Sequence, residues 1–213
     1  MTGLRLKPRR SLEVGSSDLV TLGSPPRPTD EVVAWRAANV PHLARGHERV
    51  VTARSNGLPH IYGLLWLSKR QRDGTIVDYG LASMRLVTNA GLTWLVQCFL
   101  GEEDILSLQY HGIGASDIPE SPEDEDLVDE LGQNYPIEDL RAVGSSTEVN
   151  DTTFRSVGNC QVADDVSVRE HGVFTHGTVG QGVLFDRSTF TTVPLEAGEA
   201  IQMTYDLVLS AGS

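Results

Sequence analysis

Residues 199–210, EAIQMTYDLVLS, alternate in character. Ile201, Met203, Tyr205, Leu207 and Leu209 share one parity, while Gln202, Thr204, Asp206 and Val208 share the other. A period of two marks a strand with one buried face. From Thr147 onward the chain keeps this character, with segments 152–164, 165–175 and 182–193 separated by turn residues at roughly ten-residue spacing. Four such strands predict a mainly β fold, an antiparallel β-sandwich or jelly-roll-like domain.

Within that β region, 168-VREHGVFTHGTVGQGVLFDRSTF-190 gathers His171, His176, Asp186 and Ser188, the side-chain types of a hydrolytic triad. A triad needs a nucleophile within reach of a histidine that a third group orients. Ser188 has no G-x-S-x-G elbow around it. Alternating Val166 and Val168, then the glycine-rich 177-GTVGQG-182, then Val183, Phe185 and Phe190 read instead as a hairpin with glycine where positive φ is required. A non-enzymatic hairpin is therefore expected over a hydrolase using His171, Asp186 and Ser188, and no catalytic residue is assigned.

Working back toward the N-terminus, 61-IYGLLWLSKRQRDGTIVDYGLAS-83 reads as a second hairpin turning at Asp73-Gly74. In 88-TNAGLTWLVQCFLGEED-104, Leu92, Leu95, Val96 and Phe99 recur at helical spacing. Thr88 or Asn89 can cap the start of that helix and Gly101 can end it, so one short helix is expected with this stripe on the core. Residues 105–113, ILSLQYHGI, form another strand candidate. The folded domain is thus placed at residues 58–213. Residues 1–57 carry Ser, Gly and Pro and little alternation, and are read as an extended N-terminal arm. Its one helical stretch, 30-DEVVAWRAANV-40, has Thr29 as N-cap and Pro41 just past its end. A frayed tail is the alternative for residues 1–28.

Charge divides along the same line. Residues 1–100 hold 13 Lys/Arg against 7 Asp/Glu, and residues 101–213 hold 4 against 22, within a net charge of −12. An acidic body argues against nucleic-acid binding by the folded part, because phosphate contacts need a basic face. The basic front end suits an acidic neighbour. The cations expected at an interface are Arg5, Lys7, Arg9 and Arg10, with Trp35 as apolar anchor. No apolar run reaches the ~20 residues of a membrane span, and the start of the chain lacks the apolar core of a secretory signal. Cys98 and Cys160, far apart in sequence, are read as buried thiols of a protein assembled in a reducing cytosol.

Two stretches carry residue types that can hold a cation. The acidic run 116-SDIPESPEDEDLVDELGQNYP-136 lacks the D-x-D-x-D-G spacing of a calcium loop and is expected to be a solvated loop with a helical turn near 125–131. His111 and His171 share the context His-Gly-aliphatic, as YHGIG and EHGVF. They could form a metal pair on adjacent strands, but the glycines more simply let a strand bend or another group approach. No metal and no cofactor is expected.

The order of WLSKRQRDGTIVDYGLASMRLVTNAGLTWLVQCF, YHGIG, NDTTFRSVG, VREHGVF, GVLFDRSTF and IQMTYDLVLSAG, spanning roughly residues 62–212, resembles a family of tailed-bacteriophage virion proteins. The resemblance implies a non-enzymatic structural role in the virion, foremost a capsid decoration (cement) protein that stabilises the head shell after assembly in the host cytoplasm. Its partners would be the major capsid protein and further copies of itself as a dimer or trimer. A tail, fibre or receptor-binding component with a carbohydrate-binding sandwich is the alternative. The family offers no catalytic residues to carry over, and residues 1–57 lie outside the resemblance.

Overall fold

The computed structural model describes residues 28–57 and 60–211. Among these residues nine strands form two antiparallel sheets, as expected for the sandwich. Helix α1 (Asp30–Ser55) leads into β1 (His60–Arg70) and β2 (Ile76–Leu86), then α2 (Asn89–Leu100) and β3 (Tyr110–Gly114). Strands β4 (Ala142–Val143), β5 (Ser145–Asn150), β6 (Thr153–Gln161), β7 (Val166–Phe174), β8 (Leu184–Leu195) and β9 (Ala200–Ser210) complete the chain. One sheet runs β2-β1-β9-β6-β5 and the other β4-β3-β7-β8.

The strands form where alternation is cleanest. Strand β9 sits between β1 and β6, in register from His60↔Ser210 to Arg70↔Ala200 on one side and from Thr153↔Val208 to Gln161↔Ala200 on the other. Ile201, Met203, Tyr205 and Leu207 are buried, and only Leu209 at the end of the stripe is exposed. Ile201 and Met203 pack in one cluster with Ile113, Val168, Phe190 and Val193 of the facing sheet and Leu65 and Leu67 of β1, and Tyr205 and Leu207 in a second with Val173 and Phe185. Both hairpins form where they were expected. The β1–β2 turn has Gly74 at φ +88°, with Asp73 Oδ1 accepting from the Thr75 amide at 2.9 Å. The β7–β8 loop has Gly180 and Gly182 at +72° and +78°.

Helix α1 departs from expectation. It does not stop before Pro41 but runs 26 residues through it, capped by the Thr29 hydroxyl. A proline inside a helix costs ~3 kcal/mol because a hydrogen bond is lost and the ring crowds the preceding turn. Docking offsets this. Val32, Trp35, Asn39, Gly46 and Val50 are buried at helical spacing, and His42 is half-buried between them. They lie along the gap between β2 and β8, the edge strands of the two sheets. Val32 and Trp35 belong to the same core cluster as the sandwich strands. Residues 30–55 are therefore part of the folded body, not an extended arm.

The docking is polar. Asn39, fully buried, donates to the Ala82 carbonyl at 2.8 Å and accepts from the Thr191 amide at 2.9 Å, joining β2 to β8. The Trp35 indole donates to the carbonyls of Thr191 and Thr192, and Arg36 donates to those of Tyr79 and Asp78. Trp35, expected as an anchor for a neighbouring subunit, is 6 % exposed and is used inside its own chain. Its N–H completes a strand edge and its ring lies 4.9 Å from that of Tyr79. Arg5, Lys7, Arg9 and Arg10 fall outside the described residues.

Gly46 gives a sign test of this docking. In a free helix, Gly→Ala adds about 1 kcal/mol of stability. Here a Cβ at Gly46 would overlap the Met84 carbonyl of β2, so Gly46→Ala is expected to destabilise by about 1–3 kcal/mol. Asn39→Ala strips two buried backbone groups of their partners and is expected to remove about 2–4 kcal/mol. Val33→Ala, on the exposed face, should stay within about 0.5 kcal/mol of the parent. Urea unfolding of the three variants reads these signs. A stabilised Gly46→Ala would mean that α1 does not dock.

Candidate functional site

The histidines, aspartate and serine of the 168–190 stretch come together, but inside the sandwich. Strands β3 and β7 pair His111↔Val173, Gly112↔Gly172 and Ile113↔His171, so the two His-Gly-aliphatic fragments are antiparallel partners. His111 and His171 thereby turn inward. Their Nδ1 and Nε2 atoms lie 2.9 Å apart, and His111 Nε2 lies 2.8 Å from Ser156 Oγ of β6 in the other sheet. The paired glycines open the outer face instead. A Cβ on either would run into the Phe174 ring and Leu127.

Ser188 is paired across the strands with His171, and Asp186 lies two residues before it on the same inner face. No side-chain hydrogen bond joins the three among the described residues. Tyr205 donates its hydroxyl to Asp186 Oδ2 at 2.9 Å, while His171 is engaged by His111. All three are at most 2 % exposed, so no solvent path reaches a nucleophile. Gly63 of β1 makes the space, since a Cβ there would strike the Asp186 carboxylate and Tyr205. Gly158 does the same for the His111 ring. His176 is separate from this group, in the β7–β8 loop, where its Nδ1 accepts from the Thr178 amide at 3.1 Å.

Burial governs the protonation of this layer. It pushes His111 down to about 4, and burial together with the adjacent His111 holds His171 well below the usual imidazole range. Burial raises Asp186 to about 6, against the Tyr205 hydrogen bond and Arg85, which favour its charged form. Two neutral imidazoles sharing one hydrogen bond can hold Ser156, but they have no third ligand. Among the described residues no group of three or more His, Cys, Asp or Glu is arranged to hold a metal ion.

The acidic run behaves differently from a solvated loop. It folds over the outer face of β7 and β8 with turns and one β-bridge, Gly114↔Glu130, and its one helical turn is a 3-10 turn at Gly132–Asn134, just past the expected 125–131. Arginines from outside the run fasten it. Arg187, 2 % exposed, reaches Asp124 at 3.0 Å, the Ile118 carbonyl at 3.0 Å and Glu170 at 2.8 Å. Glu170 in turn accepts from the Val128 and Asp129 amides. Arg141 forms a bidentate pair with Glu130 at 2.7 and 2.8 Å while stacking on Phe174. Arg85, also buried, meets Glu120 at 3.1 Å. Three carboxylates of the run, Glu120, Asp124 and Glu130, are engaged by these arginines.

Three residues of the stripe expected on the core, Leu92, Val96 and Phe99, face outward instead. Leu92, Val96, Phe99 and Leu100 of α2 are exposed, Phe99 by 81 %, and Leu106 just beyond the helix by 76 %. The helix packs through Gly91 and Trp94, with Leu95 and Cys98 partly buried. That second stripe has the same helical spacing as the first, so periodicity could not choose between them. A sequence signal was present nonetheless: residues 89–100 contain no charged side chain, as expected of a helix with both faces covered. Among the described residues no helix is long and apolar enough to cross a membrane.

Comparison with known protein families, with curated proteins and with solved structures finds no match.

Two measurements probe the buried layer. The unfolded chain takes up protons on its histidines near 6.5, whereas His111 in the fold resists them until about 4. Stability therefore falls as pH drops through that window. For His111 alone the loss approaches the order of 3 kcal/mol. Asp186 acts oppositely: raised to about 6, it favours the fold in acid and loses that contribution as pH rises. With two imidazoles against one carboxyl, urea midpoints should decline from pH 7 to 4.5, and His111→Gln should flatten the decline. Arg187→Ala leaves Glu170 buried without its cation and is expected to cost about 3–5 kcal/mol. Limited proteolysis should then cut within 116–131, a segment expected to resist cleavage in the parent.

Proposed function

We propose that the chain is a non-enzymatic structural component of a tailed-bacteriophage particle, a decoration protein that binds and stabilises the head shell. The observation carrying this reading is the ordered series of motifs across residues 62–212. Those motifs fall on the strands and turns that build the sandwich: DG on the β1–β2 turn, YHGIG on β3, EHGVF on β7, LFDRSTF on β8 and MTYDLVLS on β9. In this reading the motifs serve folding. Their histidines, aspartate, arginine and glycines bond one another or make room for those bonds. Recognition is left to the surface, where α2 offers an uncharged apolar face and residues 1–10 offer four cations without an acid. The major capsid protein and further copies of this chain are the partners this surface suits, and Trp35 is not among the contacts.

Stoichiometry on purified particles separates this reading from a tail or fibre component. A copy number on the scale of the shell subunits supports decoration, and a handful of copies per particle overturns it. The electrostatics add a second check. The body is acidic, so attraction to an acidic shell has to come from the N-terminal cations. Screening shortens the Debye length from about 10 Å at 0.1 M salt to about 3 Å at 1 M. Binding to undecorated particles is expected to weaken over that range, and removal of residues 1–27 to abolish most of the dependence while the melting temperature of the free protein holds. Equal binding by the shortened chain at every salt concentration would place the interface on the body.

A further inference from the structure

We infer that His42 is the latch of an acid-sensitive hinge in α1: its neutral ring holds residues 42–55 on the sandwich, and its protonation releases them while residues 30–40 stay docked. The hinge is Pro41. Lacking an N–H, it leaves the Ala37 carbonyl without its helical donor, so the backbone ladder is interrupted where the two halves meet. The first half is bound to β2 and β8 through Trp35, Arg36 and Asn39, which donate to strand carbonyls at 2.8–3.1 Å. Past Pro41 the polar ties are longer. His42 Nδ1 lies 3.4 Å from Thr189 Oγ1, and Arg45 Nε lies 3.9 Å from Glu120 Oε1.

The neighbours of His42 fix where its proton sits. Arg45 can only donate, so its Nη2, 3.1 Å away, requires a lone pair on His42 Nδ1. Thr189 gives its one hydroxyl proton to Glu120 Oε2 at 2.6 Å, so its oxygen offers the ring only a lone pair. The neutral ring therefore carries its proton on Nε2. A second proton places an N–H on Nδ1, where the Arg45 donor already points.

Charge works in the same direction. The ring faces Arg45 from α1 itself, Arg85 from β2, Glu120 from the acidic run and Thr189 from β8. Arg85 lies beneath the next turn, since a Cβ at Gly46 would come within 3.0 Å of its Nη1. Glu120 is the one carboxylate of this group, and Arg85 at 3.1 Å and Arg45 already share it. A protonated His42 makes a third cation about one anion. Burial, Arg45 and Arg85 accordingly hold His42 below the usual imidazole range, against Glu120 and a backbone group of Thr189. Glu120 keeps its charge through mild acid, because its burial is outweighed by Arg85 and the Thr189 hydroxyl. The released ring takes up its proton near 6.5 and the docked ring resists it, so docking of residues 42–55 weakens as pH falls below that value.

Amide hydrogen exchange on the full chain, corrected for the intrinsic effect of pH on exchange, tests this segment by segment. From pH 7.0 to 5.5, residues 43–55 are expected to lose protection about three- to tenfold, the range open to one displaced imidazole. His42→Gln keeps an acceptor for Arg45 but takes up no proton, and should abolish that loss. The acid response of β1 and β9, which belongs to His111 and His171, should remain in the same variant. His47→Gln, exposed on the same helix, should behave as the parent. Residues 30–40 opening in step with 43–55, no acid loss in the parent, or the same loss in His42→Gln would each sink the hinge. Should His42→Gln fail to fold, the ring nitrogen shifts of the parent at pH 7.5 decide: a proton on Nε2 is expected, and one on Nδ1 rules the latch out. No particle enters these measurements, so the hinge and the proposed function stand or fall separately.

Discussion

The open edge of β8 is the constraint around which the rest of the fold is arranged. A strand at the end of a four-stranded sheet presents backbone groups with no ladder partner, and buried groups of that kind must find one. In this protein side chains supply partners along the length of that edge. Thr88 covers the carbonyls of Leu184 and Phe185, Arg85 those of Arg187 and Thr189, Trp35 those of Thr191 and Thr192, and Lys69 that of Pro194. Asn39 accepts from the Thr191 amide. The donors come from β1, β2, the second residue after β2, and α1. The two sheets are thus clasped on this side by polar teeth rather than closed by a continuous ladder. Pro194 is tolerated in β8 for the same reason: an edge strand has a side on which a missing N–H is not felt.

That clasp sets the character of the interior. Arg85 is buried because the carbonyls it serves are buried, and Glu120 is drawn in to balance it. Further along the same layer the sheets are held by Ser156–His111–His171 and by Tyr205–Asp186, with apolar clusters above and below. Buried polar groups are expensive unless each finds a partner, and in return they allow few alternative packings. A one-residue slip of β3 along β7 would turn His111 to the outer face, and the glycine pair Gly112↔Gly172 would lose its place over Phe174. The polar layer fixes register where an all-aliphatic sandwich core would leave it looser.

Local signals in the sequence were read correctly and long-range ones were not. The alternation of β9, the Asp73-Gly74 turn and the Thr88 and Gly101 caps depend on neighbours a few residues away, and each formed as its residues indicate. The length of α1 was hidden because its buried stripe reads Val32, Trp35, Asn39, His42, Gly46, Val50. Half of those are polar or glycine, since the helix docks on backbone edges and not on an apolar sheet face. Pro41 then looked like an end. The orientation of α2 was ambiguous because both of its stripes are apolar, and only the fold decides which one Trp94 takes inward. Carboxylates of the acidic run looked solvated because Arg85, Arg141 and Arg187, which hold them, lie up to some 60 residues away in sequence. At the candidate site the residue types were legible and their inward direction was not, because strand parity at His171 and Asp186 depends on a register that the pairing sets.

The same economy of cations shapes how copies of the protein can meet. Every arginine of residues 101–213 is engaged with a carboxylate: Arg141 with Glu130, Arg155 with Asp206, Arg169 with Asp117, and Arg187 with Asp124 and Glu170. The acid left over turns outward, on Glu102, Glu103, Asp104, Glu123, Glu125 and Asp126 among others. Two bodies approaching at physiological salt feel this repulsion mainly inside about 8 Å, the screening length there. Contact is then decided by the patches that actually touch. An acidic rim against an acidic rim is unfavourable at that range, whereas the uncharged turns of α2 gain from losing water whatever apolar group arrives. A half-chain that uses its cations internally therefore associates through an apolar face or through cations supplied from elsewhere in the chain, and residues 1–10 and α2 supply both.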